Sequence, residues 1–412
     1  MTDGKTARVV IVGAGHGGGN MVSFLRQAGH EGAIVLIGAE TAPPYHRPPL
    51  SKAYLKGEAT EESLKLRADS FYAEKNITLR LGETVTGIDR KNRRVLLRDG
   101  SEEAYDKLVL ATGSTPRRLT IPGSDLAGIL ELRHLDDAEA LKAAIGPAQR
   151  LAVIGGGYIG LEAAASAISL GASATIIERE SRILARVACE QLASFFDGYH
   201  RAKGVEIITG AHVERLEGKH GRISAVVLAD GRSILCDAAL VGIGGIPSDE
   251  LGRAAGLDCE NGIVVDEDAR TSDPNIYAIG DVAWRPMPLY GGRMFRLESV
   301  PNAIEQARRV AHDILGLPQP AHEVPWFWSD QFDLKLQIAG VPFDAEQLIV
   351  RGAPDQGRFA IFHLRDGHVL AVEAVNSAKD FLFGRSVVGT DKRVDPVRLA
   401  DPEVPAKETV IG

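Results

Sequence analysis

Glycines spaced for phosphate chemistry are the most informative residues in this chain. The run from Arg8 to Gly18, RVVIVGAGHGG, returns from Arg150 to Gly160 as RLAVIGGGYIG. Each reads as a buried strand passing into G-x-G-x-x-G and then into a helix, the context that a dinucleotide fingerprint requires. Gly13 and Gly155 make the tight turn, Gly15 and Gly157 let a pyrophosphate approach the backbone, and Gly18 and Gly160 let helix and strand pack closely. The helix N-terminus then offers unpaired N–H groups and a partial positive charge to the phosphates. Two complete fingerprints imply two dinucleotides, and the chemistry that uses two is hydride transfer from nicotinamide to flavin.

The two copies part at the end of their second strands. Ala174 to Glu178 (ATIIE) ends on a carboxylate suited to accept from a ribose 2′-hydroxyl and to repel a 2′-phosphate, which points to NADH over NADPH. Arg179 and Arg182 follow closely enough to soften that preference. In the first copy Ala33 to Gly38 (AIVLIG) ends in glycine, so the ribose there falls to the Gly38-Ala39-Glu40 turn.

The elements that must hold these residues are βαβ units, and 412 residues suffice for two or three domains. With 44% hydrophobic and 25% charged residues the composition is globular, and the 45 glycines follow no fibrous period, so they mark turns and close approaches. Forty-seven basic against 55 acidic residues give a net charge of −8, which disfavours nucleic acid as a partner and allows only local basic patches. The opening residues carry no signal-peptide pattern, and no apolar run is long enough to span a membrane, so a soluble cytoplasmic protein is expected. Cys189, Cys236 and Cys259 lack redox-pair spacing and read as structural thiols; His16, His46 and His134 lack metal-ligand spacing, and no metal site is expected. In the tail, Phe359 to Leu364 and Val369 to Ala374 flank Asp366-Gly367, a short-turn hairpin signal.

Two returning segments complete the first site. Asp106 to Pro116 (DKLVLATGSTP) is a strand ending in a glycine turn, and Asn275 to Asp281 (NIYAIGD) is another ending in a carboxylate. Together with the two fingerprints, the Ala111-Thr112-Gly113 turn and the Gly280-Asp281 signature resemble the FAD/NAD-linked reductase superfamily that includes glutathione reductase. Pro43 to Lys52 (PPYHRPPLSK), Leu297 to Gln306 (LESVPNAIEQ) and Val324 to Gln331 (VPWFWSDQ) narrow the resemblance to ferredoxin reductases of bacterial cytochrome P450 and ring-hydroxylating dioxygenase systems, the putidaredoxin-reductase-like group. It extends from Arg8 to about Ala374.

The resemblance implies an α/β fold of two doubly wound, Rossmann-like domains, the NAD domain inserted in the FAD domain, and a small α+β C-terminal domain. The FAD domain would comprise residues 1–115 and 246–322, the NAD domain 116–245 and the C-terminal domain 323–412. Around FAD it places Gly13, Gly15, Gly17, Gly18, Ala39, Glu40, Arg47, Lys52, Val85, Ala111, Thr112, Gly113, Arg133, Gly280, Asp281, Val300 and Trp328, with Asp281 on the ribityl chain. Around NAD it places Gly155, Gly157, Tyr158, Ile159, Gly160, Glu162, Glu178 and Gly244. Lys52 and Glu162 are implied to pair near flavin N5, where a positive charge stabilises the reduced ring. Thiol-disulfide reductases of the superfamily carry a cysteine pair on the stretch that here runs Arg47 to Lys52, which has none, so the flavin itself becomes the electron exit.

The implied activity is transfer of electrons from NADH through FAD to a two-iron, two-sulfur (2Fe-2S) ferredoxin feeding a cytochrome P450 or a Rieske dioxygenase. The alternatives on this scaffold are an NADH oxidase, a monodehydroascorbate or rubredoxin reductase, and a flavin-bearing interaction protein like apoptosis-inducing factor. An acidic ferredoxin would need a local basic patch on this acidic chain. Arg67, Arg308 and Arg309 are the candidates, with His312 on the same helix face as Arg308 and Pro301 fitting the first helical position.

Overall fold

The computed structural model describes residues 4–411, which cluster into two compact units. The first comprises the chain up to His46, Glu62–Thr115 and Ile246–Phe327; the second comprises Arg47–Glu61, Pro116–Gly245 and the chain from Trp328 onward. Arg47–Glu61, read from the sequence as part of the first FAD segment, therefore clusters with the second unit.

In the first unit, five parallel strands lie in the order Ile276–Ala278, Lys107–Leu110, Val9–Val12, Ile34–Gly38, Ile77–Leu81. Val9–Val12 and Ile34–Gly38 are buried along their whole length, as continuous apolar runs in a parallel sheet should be. Alternate side chains feed two cores. Val9, Ile11, Ile34 and Leu36 pack with Met21, Leu25, Val310 and Ile314 of the helices His16–Gln27 and Val300–Ile314. Val10, Val12, Val35 and Ile37 pack with Val85, Val95 and Leu97 of a three-stranded antiparallel sheet.

The second unit repeats the plan. Its parallel strands run Glu206–Ile208, Ser173–Ile177, Arg150–Ile154, Ala238–Val241, Ile129–Leu130. The helix Tyr158–Ser169 follows the central strand, and the antiparallel strands Val213–Lys219, Arg222–Leu228 and Ser233–Leu235 supply Leu216, Ile223, Val226 and Leu228 to a core with Ala152, Ile154 and Ala239. In both units one face of the parallel sheet is thus covered by β-structure.

The C-terminal part is a seven-stranded sheet with two helices, Ala378–Val387 and Pro396–Ala400. Arg358–Arg365 and His368–Val375 form the expected hairpin, with Asp366 and Gly367 both at positive φ (51° and 78°), the pairing that a two-residue turn of matching twist demands. Among the described residues no helix is long and apolar enough to cross a membrane.

Candidate functional site

The first fingerprint sits where the strand Val9–Val12 hands over to the helix His16–Gln27. Gly13 has φ +111°, and a Cβ on it would stand 2.2 Å from the Ala111 carbonyl oxygen; a Cβ on Gly18 would stand 2.0 Å from the carbonyl oxygen of Gly13. Both positions admit only glycine. Gly15 caps the helix without a side-chain partner of its own, which leaves the N-terminus to a ligand. Ala39 is exposed just beyond the strand Ile34–Gly38, and the Glu40 carboxylate receives the Tyr45 hydroxyl (2.5 Å).

The returning segments close on the same unit. Thr112 donates to the Ser248 carbonyl (2.7 Å), and the Ser248 N–H donates to the carbonyl of Gly113, whose φ is +72°. Gly280, at φ +75°, gives its N–H to Gln306 (2.8 Å), and Ser114 gives its hydroxyl to the Asp281 carboxylate (3.3 Å). Val300 opens the helix Val300–Ile314 behind the cap Ser299, so Pro301 is the second helical residue and not the first. Val85 lies in the core beneath the sheet.

The second fingerprint repeats this geometry. Gly155 has φ +111°, with a Cβ position 2.3 Å from the Gly242 oxygen, and a Cβ on Gly160 would stand 2.4 Å from the Gly155 oxygen. Gly157 differs: its Cβ position meets nothing within 4 Å, a gap at the head of the helix Tyr158–Ser169. Glu178 turns back to this loop, accepting the Gly156 N–H (2.6 Å) on one oxygen and the Glu180 N–H (2.8 Å) on the other. Ile159 is exposed, and Gly244, at φ +104°, has the Arg186 guanidinium 3.4 Å from its Cβ position. Tyr158 donates to the Val187 carbonyl (3.1 Å), and burial of its hydroxyl pushes the phenol well above the usual tyrosine range. Arg182 donates to the carbonyls of Leu184, Ala185 and Ala188, and the exposed Arg179 donates to the Glu180 carboxylate.

Lys52 and Glu162, 110 positions apart in the chain by their numbers, form an ion pair of 2.6 Å. Glu162 is 5% exposed and holds more than the lysine: Ser51 donates to the same oxygen (2.5 Å) and Ser329 to the other (2.5 Å). Gln331 donates to Ser329 (3.1 Å) and accepts at 2.8 Å from His200, itself wholly buried with its pKa driven down to about 4 by desolvation. Ser51, Ser329, Gln331 and His200 escape sequence reasoning; only the adjacency of Ser51 to Lys52 hints at the first. Arg47 donates to the Arg133 carbonyl (2.7 Å), and the Arg133 N–H to Asp137 (2.9 Å), while Trp328 is half-buried.

The docking arginines separate. Arg309 is 3% exposed and spent on Asp268 and the carbonyls of Glu267 and Pro320, so it presents no charge to a partner, a correction to its place among the candidates. Arg308 is part-exposed, paired with Glu323 (3.0 Å) and stacked over Phe24; Arg67 lies over Phe71; His312 meets the Pro318 carbonyl (2.7 Å).

Burial raises the Cys189 thiol to about 12 and the Cys236 thiol to about 11, so neither is a ready nucleophile. Both fingerprints fit a dinucleotide: two helix heads free of side-chain caps, glycine-only turns packed against carbonyls, and at Gly157 a gap that a methyl would fill.

Residues 7–307 match the family described as pyridine nucleotide-disulphide oxidoreductase, and residues 326–410 the family described as reductase C-terminal. The chain is 52% identical to a probable ferredoxin reductase of Castellaniella defragrans, over 96% of this chain and 97% of that protein. It is 43% identical to the putidaredoxin reductase of Pseudomonas putida, over 98% and 96%. Among solved structures it superposes on the covalent putidaredoxin reductase–putidaredoxin complex with a TM-score of 0.95 at 43% identity, covering 98% of both chains.

Proposed function

The chain belongs to the pyridine nucleotide-disulphide oxidoreductase family, and from that premise we propose that it is an FAD-dependent NADH:ferredoxin oxidoreductase. Its acceptor is a 2Fe-2S ferredoxin serving a cytochrome P450 or a Rieske oxygenase, and its place of work is the cytoplasm. The observation that carries this reading is the pair of complete fingerprints, each on its own parallel sheet, with no cysteine pair to lead electrons elsewhere. Bound FAD supplies the conversion from a two-electron donor to a one-electron acceptor.

The chain's own residues do the rest. Residues 1–115 and 246–322 hold FAD, residues 116–245 hold NADH, and 323–412 form the C-terminal domain. Gly13, Gly15 and Gly18 bring the first helix head to the FAD pyrophosphate, and Asp281 takes the ribityl hydroxyls. Glu178 is oriented by two backbone N–H groups and keeps lone pairs for the hydroxyls of the adenosine ribose. Lys52 carries the positive charge toward the flavin ring, and Glu162, clamped by two serines, fixes the direction of its ammonium group. Tyr158 would lie on the nicotinamide side and Trp328 at one end of the flavin.

The test is anaerobic stopped-flow mixing of NADH-reduced protein with a 2Fe-2S ferredoxin, a rubredoxin or dissolved oxygen. Reoxidation should be fastest with the ferredoxin. Faster reoxidation by rubredoxin or oxygen, or a folded protein that stays colourless with added FAD, would overturn the assignment.

A further inference from the structure

Fold topology gathers three metal-binding side chains where the linear sequence shows no spacing at all. The Cys189 sulfur and one ligand atom each of His363 and Glu373 lie within 4.8 Å of one another, inside the second unit. His363 and Glu373 stand on adjacent antiparallel strands. His363 faces Ala371 and Glu373 faces Ile361, so by the two-residue period both side chains emerge on the same face of the sheet. Phe359 shares that face and packs edge-on against Phe195 (ring centroids 4.9 Å apart), which lays the helix Glu190–Ala202 across it. Cys189 is the residue that caps this helix, and so comes down onto the His–Glu pair.

The cluster is incompletely satisfied, and two of its three members are deeply buried while Cys189 is half-buried. His363 and Glu373 are 3% and 2% exposed. One oxygen of Glu373 accepts the Cys189 backbone N–H (3.1 Å). The other stands 3.2 Å from His363 Nε2 in an orientation that makes no hydrogen bond, so both atoms are buried without a partner. Leaving two such atoms unsatisfied is costly unless something else occupies the space between them.

We propose that Cys189, His363 and Glu373 form a binding site for Zn2+. Tetrahedral zinc with bonds of about 2.0–2.1 Å to nitrogen and oxygen sets those two atoms about 3.3 Å apart, close to the 3.2 Å already present. Zinc would also satisfy both orphaned atoms, and one thiolate with one carboxylate neutralises its charge, which an apolar interior requires. Three protein ligands leave a fourth position for water. The site adjoins the loop that carries Arg186 and Val187, the residues beside Gly244 and Tyr158, so the ion would tie that loop to the C-terminal sheet.

The experiment uses tag-free, flavin-loaded protein stripped by chelator and brought to equilibrium with ZnCl2 across a dialysis membrane, the metal being counted by mass spectrometry. One zinc per chain is expected. Cys189→Ser and Glu373→Gln should each weaken it by at least about tenfold, with Cys259→Ser as the unchanged control and flavin content as the check on folding. Cobalt in place of zinc should show a thiolate-to-metal charge-transfer band in the wild-type protein. Absence of stoichiometric zinc, retention of equal affinity in the two ligand variants, or cobalt bound without that band would each overturn the site.

Discussion

A methyl group at Gly157 separates the two duties of a fingerprint glycine. Gly157 has φ −82° and ψ 178°, a backbone open to any residue, and its Cβ position meets nothing within 4 Å. Gly157→Ala should therefore change folding stability by no more than about 0.5 kcal/mol. In the proposed coenzyme site, the space the methyl enters is where the NADH pyrophosphate would meet the helix head. Pushing a phosphate oxygen away by about 1 Å stretches an N–H···O bond of about 2.9 Å out of range. Loss of one such bond to a charged group costs about 1.5–3 kcal/mol, a rise in the dissociation constant of roughly ten- to a hundredfold. Gly155→Ala should behave differently. Its φ of +111° and the Gly242 oxygen at 2.3 Å make the protein itself strained, at about 1–3 kcal/mol before any ligand is added. Calorimetric titration with NAD+ and a urea midpoint for each variant measure both quantities. Normal coenzyme affinity in folded Gly157→Ala, or a greater loss of stability there than in Gly155→Ala, would refute the reasoning.

Glu178→Ala should lower kcat/KM for NADH and narrow its lead over NADPH; an unchanged ratio in steady-state assays would remove Glu178 from the coenzyme site. Lys52→Ala should slow flavin reduction by NADH while leaving a buried carboxylate with two serine hydroxyls as partners, so stopped-flow reduction and thermal stability should both fall, and a normal reduction rate would make the ion pair purely structural. Arg308→Glu should raise KM for ferredoxin at low salt and leave ferricyanide reduction normal, whereas Arg309→Glu should lose stability first, because its charge is enclosed; ferredoxin kinetics unaffected by Arg308→Glu would move the patch elsewhere. His200 is held near pKa 4 by burial against 6.5 in the open chain, so the unfolded state takes up a proton that the native state refuses, and stability is full above pH 6.5 and falls as pH drops toward 4, by up to about 3 kcal/mol. His200→Gln should flatten that slope in urea midpoints, and an unaltered slope would exclude His200 as its source.

What the sequence disclosed was local. Strand, turn and helix head lie within one short run at Gly13 and again at Gly155, so the spacing of the glycines alone announces the geometry later seen at their φ angles. Asp366-Gly367 announced its hairpin for the same reason. The clamp on Glu162 was silent, because Ser51 and Ser329 come to it from opposite sides in sequence and serine is the least distinctive of polar residues. Arg309 misled in the other direction: it was a docking candidate beside Arg308, yet a helix turns about 100° per residue, and the second arginine points into the carbonyls of Glu267 and Pro320. Cys189 read only as a structural thiol, and His363 and Glu373 were assigned no role, because no periodicity links a helix cap to two strands of a later sheet.

The chain order of the first unit has a consequence for synthesis. The strand Ile276–Ala278 pairs with Lys107–Leu110, but all of residues 116–245 leave the ribosome between them. At ordinary translation rates that gap is on the order of ten to thirty seconds, during which Lys107–Leu110 has no neighbour on that side. A nascent sheet with an open, apolar edge is the species most prone to pair with the wrong chain. Lys107 heads that strand, and in the finished protein its ammonium group bonds the Pro274 carbonyl and Asn275 at the start of the arriving segment. The same lysine that discourages a foreign strand during the wait thus marks the place for the native one, and a flavin site built on Asp281, as proposed above, is complete only after that strand has been delivered.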